Sequence, residues 1–481
     1  MPVPVITIAQ MRQWEAASWA AGVSEEKVIQ RVGVIVARRA LARTRDGARI
    51  LVLAGKGHNG DDARCAVPHM AGRDVQLLNL SSPAGQRADL GSALERRPAL
   101  IIDALFGIGL NRPLGTDWIE CIERVNRSGI SVLSVDVPSG LDADSGEPLG
   151  AAIRADVTLT LGAPKIGLLT PHAWPFTGRV ELAPEIGLLP CPFESPLQWS
   201  LPDDFEDYPP RRSVAGHKGA FGHVAICAGS LGYHGAAVLA ARGAQRAQPG
   251  LITLFTSEET YIPVASQLQS VMVRPWSREQ VWPKTATAIL FGPGLASPCL
   301  PGEWKAWMIR CWLESPLPVL VDASGLDWLP EGVPPQGRAR IITPHPGEAA
   351  RILKTSPASV QADRPAALRD LSARFGGCWV VLKGHQTLVG RGQGDIFVNS
   401  SGNPFLAQGG SGDVLAGYLA GLLAQPLLEE DPLKALRHGV YHHGAAADQL
   451  TDQLRGWTVE ELLNAIPRKF LPWPSPLCYS E

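Results

Sequence analysis

Short apolar runs recur through the first 190 positions: RILVLAG, DVQLLNL, PALIID, SVLSVDV and ADVTLTLG. Each is too short for a core helix and stops at a Gly, Asp, Asn or small polar residue. Helix-like segments lie between them. This alternation predicts parallel strands joined by crossover helices. The pattern breaks between Pro190 and Lys218, where PCPFESPLQWSLPDDFEDYPPRRSVAGHK carries Pro190, Pro192, Pro196, Pro202, Pro209 and Pro210. That stretch reads as a connector. Beyond it the alternation restarts with GHVAICAG, LITLFT, AILFGPG, PVLVDA, ARIITP and CWVVLKG. Two α/β domains are expected, over residues 1–200 and 201–481, because a chain of 481 residues exceeds what one core usually serves. In open α/β sheets ligands bind beyond the carboxyl ends of the strands, so the turns after these runs are the places to search.

Charge and composition narrow the ligands. A formal net charge of −2 without long single-sign blocks offers no field for nucleic acid or anionic lipid, which favours small soluble ligands. The eight cysteines (Cys65, Cys121, Cys191, Cys227, Cys299, Cys311, Cys378, Cys478) contain no C-x-x-C pair and predict reduced thiols in a cytoplasmic protein. MPVPVITIAQMRQWEAA lacks a basic segment followed by an apolar core, and no later stretch predicts a membrane span.

The first candidate turn is AGKGHNGDD, where Gly55, Gly57 and Gly60 complete G-x-G-x-x-G after a strand. A dinucleotide oxidoreductase would place an acid at the end of the second strand to hold the ribose, but that strand ends in Asn79, Leu80 and Ser81. Asp61 and Asp62 would moreover face a pyrophosphate resting on the turn. The other strand ends carry Asp103, Asp136 and Ser139. Asn59, Asp103 and Ser139 could form an oxygen cage for a hard monovalent cation, and Asp136 could handle a proton. Taken singly, the same residues are common turn and helix-cap choices.

Together, ITIAQMRQWE, LVLAGKGHNGDD, IIDALFGIGL, DVPSGLDADSGEP and LTLGAPKIGLL resemble the NAD(P)H-hydrate epimerase domain over roughly residues 5–190. The resemblance implies a Rossmann-like three-layer fold. It implies K+ ligation by Asn59, Asp103 and Ser139, and substrate binding by His58, Asn59, Gly60, Asp61 and Asp62. The turn Gly107, Ile108, Gly109, Leu110, Asn111, Arg112 and Pro113 would hold the substrate phosphates, and Asp136 the substrate and its chemistry. The family loop G-N-N-G-G-D-G is altered at His58, Asp61 and Ala63, and QRVG at 30–33 replaces Met-Glu-x-Ala-Gly. A Cβ and a charge where backbone should approach an anionic dinucleotide bear on epimerase activity rather than on fold.

No G-x-x-x-x-G-K-[ST] occurs in the second half, so a P-loop is excluded. LAQGGSGDVLAG instead sets several backbone donors at a helix start with Asp413 beside them, a natural anion site. FGPGL (291–295), TPHPGE (343–348) and KGHQT (383–387) are further polar turns after apolar strands. Lys383 and Thr387 could meet phosphate oxygens, and His345, held between prolines, could touch a substrate or serve only the fold. With GHVAICAGSLGYHGAAVLAARGA and GVYHHGAAAD, these motifs resemble the ADP-dependent NAD(P)H-hydrate dehydratase domain of the ribokinase-like superfamily over roughly residues 212–466. The resemblance implies that Ala236, Gly294, His345 and Asp413 contact the hydrate. It assigns Lys383, Gly384, His385, Gln386, Thr387 and Gly412 to ADP, with Mg2+ as cofactor and a homo-oligomer as the assembly. Asp413 would be the base that activates the hydrate's hydroxyl for attack on a phosphoryl group. A sugar or vitamin kinase shares this logic, and the N-terminal domain could be a non-catalytic ligand-binding module.

Overall fold

The computed structural model describes residues 2–277, 281–298, 300–332, 339–454 and 456–466. It separates into two compact units, one from Val3 to Ser195 and one from Pro196 onward.

In the first unit a two-residue strand, β1 (Val3–Pro4), precedes β2 (Arg49–Ala54), β3 (Asp74–Asn79), β4 (Leu100–Ala104), β5 (Val132–Val135), β6 (Val157–Leu161) and β7 (Arg179–Ala183). Six of these form a sheet in the order β3-β2-β4-β5-β6-β7, parallel throughout. Side chains alternate between its faces. Ile50 and Val52 join one buried cluster with Met11, Trp14, Val32 and Val36, whereas Leu51 and Leu53 join another with Leu90 and Ile122. The near-continuous apolar strands are thus explained by helices on both faces.

The second unit contains β8 (Leu197–Trp199), β9 (His223–Cys227), β10 (Leu251–Thr256), β11 (Met272–Pro275), β12 (Ala288–Phe291), β13 (Val319–Val321), β14 (Arg340–Ile342), β15 (Trp379–Leu382), β16 (Leu388–Gly390) and β17 (Ile396–Val398). Their order is β8-β17-β16-β15-β14-β13-β12-β9-β10-β11. Pairing is antiparallel only at β15–β16 and β16–β17. The connector is not wholly irregular, because its Leu197–Trp199 segment pairs with β17 and buries Trp199. Helix Ser411–Leu423 lies backbone-to-backbone against helix His234–Ala247. A Cβ on Gly417 would stand 1.9 Å from the Ala240 oxygen, and one on Gly243 would stand 2.3 Å from the Val414 oxygen. This close approach sets where Asp413 begins its helix.

Cys65, Cys121, Cys191, Cys227, Cys311 and Cys378 are free thiols; Cys299 and Cys478 lie outside the described residues. No helix among the described residues is long and apolar enough to cross a membrane.

Candidate active site

Helix Ser411–Leu423 starts at Gly410, whose φ of +97° is left-handed, and a Cβ there would also stand 2.4 Å from Leu239 Cδ1. The left-handed φ is what favours glycine there; the Leu239 methyl could shift to admit a Cβ. The helix is buried from Val414 to Leu423, which draws Asp413 in its first turn toward the interior. Burial, reinforced by the charge of Asp322 and opposed by Lys383, pushes the Asp413 carboxyl up to about 7. Beside it Lys383 Nζ donates to Asp322 Oδ1 at 2.7 Å and lies 3.9 Å from Glu348 Oε2. A Cβ on Gly412 would stand 3.4 Å from that ammonium. Burial alone would lower the Lys383 pKa, but Asp322 and Glu348 outweigh it and raise the pKa, so the side chain stays cationic. Thr343 Oγ1 donates to the same Asp322 oxygen at 2.7 Å.

Asp322 and Glu348 are site residues that sequence reasoning did not single out. The signal for Asp322 was present, since an acid directly after an apolar strand is the feature that drew attention to Asp103 and Asp136. The turn from Lys383 to Thr387 is shaped by Arg364, whose Nη1 donates to the His385 oxygen at 2.8 Å and whose Nη2 donates to the Leu382 oxygen at 2.9 Å. Within it Gly384 has φ +128° and Gln386 φ +51°. The Gln386 Nε2 is buried and has no partner among the described residues, which suits an acceptor on a bound nucleotide. Thr387 Oγ1 is turned to the Gly384 oxygen at 3.0 Å.

His345 caps helix Pro346–Leu353: its Nδ1 accepts from the Gly347 and Glu348 amides at 3.0 and 3.2 Å. The fold uses that nitrogen, and the ring remains half exposed at the end of β14. Ala236 and Gly294 adjoin each other, because a Cβ on Gly294 would stand 2.9 Å from Ala236 Cβ. A further support is buried His443, whose pKa burial pulls down to about 4 and whose neutral Nε2 lies 3.1 Å from the Ser411 oxygen.

Among the described residues, no group of three or more His, Cys, Asp or Glu side chains could hold a metal. Asp322 gives Oδ1 to Lys383 and Thr343 and Glu348 gives Oε2 to the His345 amide, so Mg2+, which uses one or two carboxylates together with phosphate oxygens, would take their other oxygens.

The N-terminal candidates form a second constellation. Asp103 is fully buried, accepting from Ser134 Oγ at 2.8 Å and the Ser139 amide at 2.9 Å. Burial raises its pKa against those bonds. Asn59 Nδ2 donates to the Phe106 oxygen at 3.0 Å, and Ser139 Oγ lies 3.3 Å from that oxygen. Asn59 Oδ1 is left buried with no partner among the described residues. An orphaned oxygen beside a buried carboxylate fits a monovalent cation. The turn from Gly107 to Pro113 follows, with Gly109, Asn111, Arg112 and Pro113 exposed, Ile108 bonded through its oxygen to Arg12 and Leu110 bonded to Gly107. Asp136 has φ +64°, and its Oδ1 receives Lys165 Nζ at 2.5 Å and the Leu161 amide at 3.2 Å. Lys165 is fully buried and was not anticipated as a site residue, although it lies within the quoted LTLGAPKIGLL. Glu15 and Asp62 are raised, mainly by burial and then by the charge of Asp136.

Two expectations for the first loop need correction. Asp61 does not present a bare charge, because its Oδ1 takes Arg64 Nη2 at 2.7 Å and Nε at 3.2 Å. Arg64 Nη1 also bonds the Gly55 oxygen at 2.9 Å and Asn79 Oδ1 at 3.0 Å. Ala63 is wholly buried in the core cluster, so its methyl packs inward instead of obstructing the loop. Residues from His58 to Ala66 are helical, and Gly60, Ala63 and Ala66, three residues apart, share its buried face. His58 Nε2 pairs with Glu25 Oε1 at 3.1 Å on the surface, and a Cβ on Gly60 would stand 2.2 Å from the Gly55 oxygen.

A mixed sheet covered by helices, with a carboxyl group at a glycine-started helix and a lysine beside it, defines the second unit as an α/β domain; the preceding unit is a Rossmann-like three-layer domain. The family model described as NAD(P)H-hydrate dehydratase matches residues 224–468, and that of the YjeF-related protein N-terminus matches residues 78–167. The bifunctional NAD(P)H-hydrate repair enzyme of Coxiella burnetii is 34% identical over 475 residues, covering 92% of this chain and 94% of that relative. The enzyme of the same description from Gloeobacter violaceus is 35% identical over 486 residues, covering 93% of each. A solved ADP/ATP-dependent NAD(P)H-hydrate dehydratase from Bacillus subtilis, co-crystallised with ATP and Mg2+, is 32% identical with a TM-score of 0.49, covering 54% of this chain and 92% of that one. The chain belongs to the family of bifunctional NAD(P)H-hydrate repair enzymes.

Proposed function

We propose that the domain over residues 1–200 interconverts the R and S hydrates of NADH and NADPH, and that the domain over residues 201–481 dehydrates the S hydrate with ADP. The observation that carries this reading is the Asp413 carboxyl, lifted to about 7, one residue from a glycine whose Cβ position abuts Lys383. A base with a pKa near the working pH combines a usable unprotonated fraction with real driving force.

The hydrate carries its hydroxyl on C6 of the ring, beside the ring nitrogen. Asp413 takes the hydroxyl proton as the oxygen attacks the β-phosphoryl group of ADP, and AMP leaves. Lys383 and the backbone N–H groups of the Gly409–Gly412 turn stabilise the charge on the phosphoryl group in transit. The nitrogen lone pair then expels phosphate with cleavage of the C6–O bond, and loss of a C5 proton restores the dihydropyridine. Asp322 and Glu348 would hold Mg2+ against the nucleotide, where it neutralises phosphate charge. Ala236, Gly294 and His345 are proposed to contact the hydrate, and the Lys383–Thr387 turn with Gly412 to contact ADP.

In the N-terminal domain, Asn59, Asp103 and Ser139 would hold K+, which would fix the turn from Phe106 to Pro113 against the substrate. The loop from His58 to Asp62 and that turn are proposed to bind the dinucleotide. Asp136, oriented by Lys165, is proposed to handle the proton of the C6 hydroxyl. We include in this proposal a cytoplasmic location and a homo-oligomeric state.

The test is incubation of purified protein with the S hydrate of NADH and ADP, following return of dihydropyridine absorbance and release of AMP and phosphate. Restoration without nucleotide consumption would defeat the dehydratase reading.

A further inference from the structure

Interconverting the hydrates takes a proton donor as well as the base assigned to Asp136, and the first unit holds a buried carboxyl that no chemical step has used. Asp62, on the helix His58–Ala66, is 7% exposed. It has no hydrogen bond and no ion pair among the described residues, yet its oxygens keep accessible surface, unlike the sealed Oδ1 of Asn59. Leaving a buried carboxylate unpaired is costly, whereas a neutral carboxylic acid is tolerated.

Its surroundings are the N-terminal constellation. Asn59, three residues earlier and so next to Asp62 on the helix, donates to the Phe106 oxygen, which Ser139 Oγ also approaches, and Ser139 lies three residues beyond Asp136. The helix Ile8–Ala20 runs over the same region. It begins beside Lys165, where the Ile6 amide donates to the Pro164 oxygen and the Ile166 amide to the Ile6 oxygen, both at 2.9 Å, and its Arg12 reaches the Ile108 oxygen at 3.2 Å. Half-buried Glu15 lies on that helix, and it too has no hydrogen bond or ion pair among the described residues. The charges acting on Asp62 are those of Asp136, Asp61 and Glu15, all negative. The Lys165 ammonium is taken by Asp136, Thr160 and the Leu161 oxygen, Arg64 is taken by Asp61, and burial keeps the nearby Cys65 thiol neutral. Burial first, and those charges second, hold Asp62 protonated well above the usual carboxylate range, while Asp136 keeps its cation. Two carboxyl groups in unlike environments divide naturally into an acid and a base.

We propose that Asp62 is the general acid of the epimerisation, giving its proton to the ring nitrogen while Asp136 takes that of the C6 hydroxyl. The C6–N1 bond breaks, its electron pair goes to nitrogen, and C6 becomes an aldehyde carbon. Rotation about C5–C6 then offers the nitrogen the opposite face. Reclosure forms the C6–N1 bond again, returns the nitrogen proton to Asp62 and gives the Asp136 proton to the oxygen, so both carboxyl groups end as they began. Glu15 supports Asp62 through its charge. This rests on the epimerase reading.

Conversion of the R hydrate of NADH by the full chain, without ADP so that the dehydratase is idle and corrected for the spontaneous rate, is the test. Asp62→Asn keeps the shape but has no proton to give, so kcat should fall about 100- to 10,000-fold with KM little changed, and Asp62→Glu should recover part of the loss. The wild-type rate should decline as pH rises through the Asp62 titration. Glu15→Gln should move that decline to lower pH, because removing a negative neighbour eases ionisation. Near wild-type turnover in Asp62→Asn would overturn the proposal. If that variant melts well below the wild type, Glu15→Gln decides alone, and an unmoved decline overturns the assignment. Single-turnover product carrying solvent oxygen from labelled water would overturn the ring opening, because that path keeps the C6 oxygen. If the wild type does not exceed the spontaneous rate, the epimerase reading itself fails and the acid falls with it.

Discussion

The turns at 55–63 and 409–413 both pair glycines with aspartate at the start of a helix, and the fold treats them differently. At the second, the helix plunges into the core, Asp413 follows it, and burial among Asp322, Glu348 and Lys383 leaves a carboxyl near 7 beside a cation. At the first, Asp61 is held by Arg64, and the buried ion pair of that unit lies elsewhere, between Asp136 and Lys165. Similar local sequence thus yields a carboxyl raised toward neutrality in one unit and an ion-paired carboxylate in the other. What separates them is which neighbours the sheet order delivers.

The largest effect expected is at Asp413. Asp413→Asn should reduce dehydration by about 100- to 10,000-fold, the usual range for losing a general base, with ADP affinity nearly unchanged. In the wild type the rate should rise as pH increases through about 7, because the deprotonated carboxylate is the active form. A variant with near wild-type turnover would erase the contrast between the two turns.

Lys383→Ala should come next. A charged hydrogen bond to phosphate contributes about 1.5–3 kcal/mol, so the KM for ADP should rise by roughly ten- to a hundredfold. Thermal stability should fall as well, since Asp322 loses its cation at 2.7 Å. An unchanged ADP dependence with weakened hydrate binding would exchange the two pockets.

For the first turn, sequence alone suggests that Asp61→Gly with Ala63→Gly would speed conversion of the R hydrate by opening the loop. The structure reverses that expectation. Ala63 packs in the core and Asp61 neutralises Arg64, so the double variant should change R-hydrate consumption by less than about threefold. It should lower stability, because glycine within a helix costs about 1 kcal/mol relative to alanine. Rates on R and S hydrates together with a melting curve check this, and a large acceleration would restore the obstructed-loop view.

The smallest effect concerns the buried histidines His442 and His443, whose pKa values burial pulls down to about 4. An unfolded histidine titrates near 6.5. Between about 4 and 6.5 the unfolded chain binds protons that the folded chain refuses, so stability should fall as pH drops through that window. Melting temperatures of wild type and His443→Gln at pH 7 and pH 5 measure it, with a shallower slope expected in the variant.

Apolar runs bounded by Gly, Asp and Pro were enough to place the main strands and the break between units, because buried parallel strands must be continuously apolar. Pairing strands of three or four residues escaped notice: β16 and β17 lack length, β11 lacks burial, and β8 hides among prolines. In the candidate site, residues on recognisable turns such as Asp413, Lys383, Asn59 and Asp136 were legible. Arg364 was not, since it reaches the Lys383–Thr387 turn from the start of a separate helix.

The sequence by itself determined the α/β class, the positions of the glycine turns and the chemical type of each strand-end group, because these depend on local periodicity and backbone freedom. Only the tertiary structure decided the partners. That Asp413 is poised near neutrality, that Lys165 locks Asp136, that Arg64 quenches Asp61 and that Asp62 lies buried among carboxylates all depend on burial and on charges brought together from distant segments. A local pattern carries neither dielectric nor neighbour, and those two quantities set a group's proton affinity.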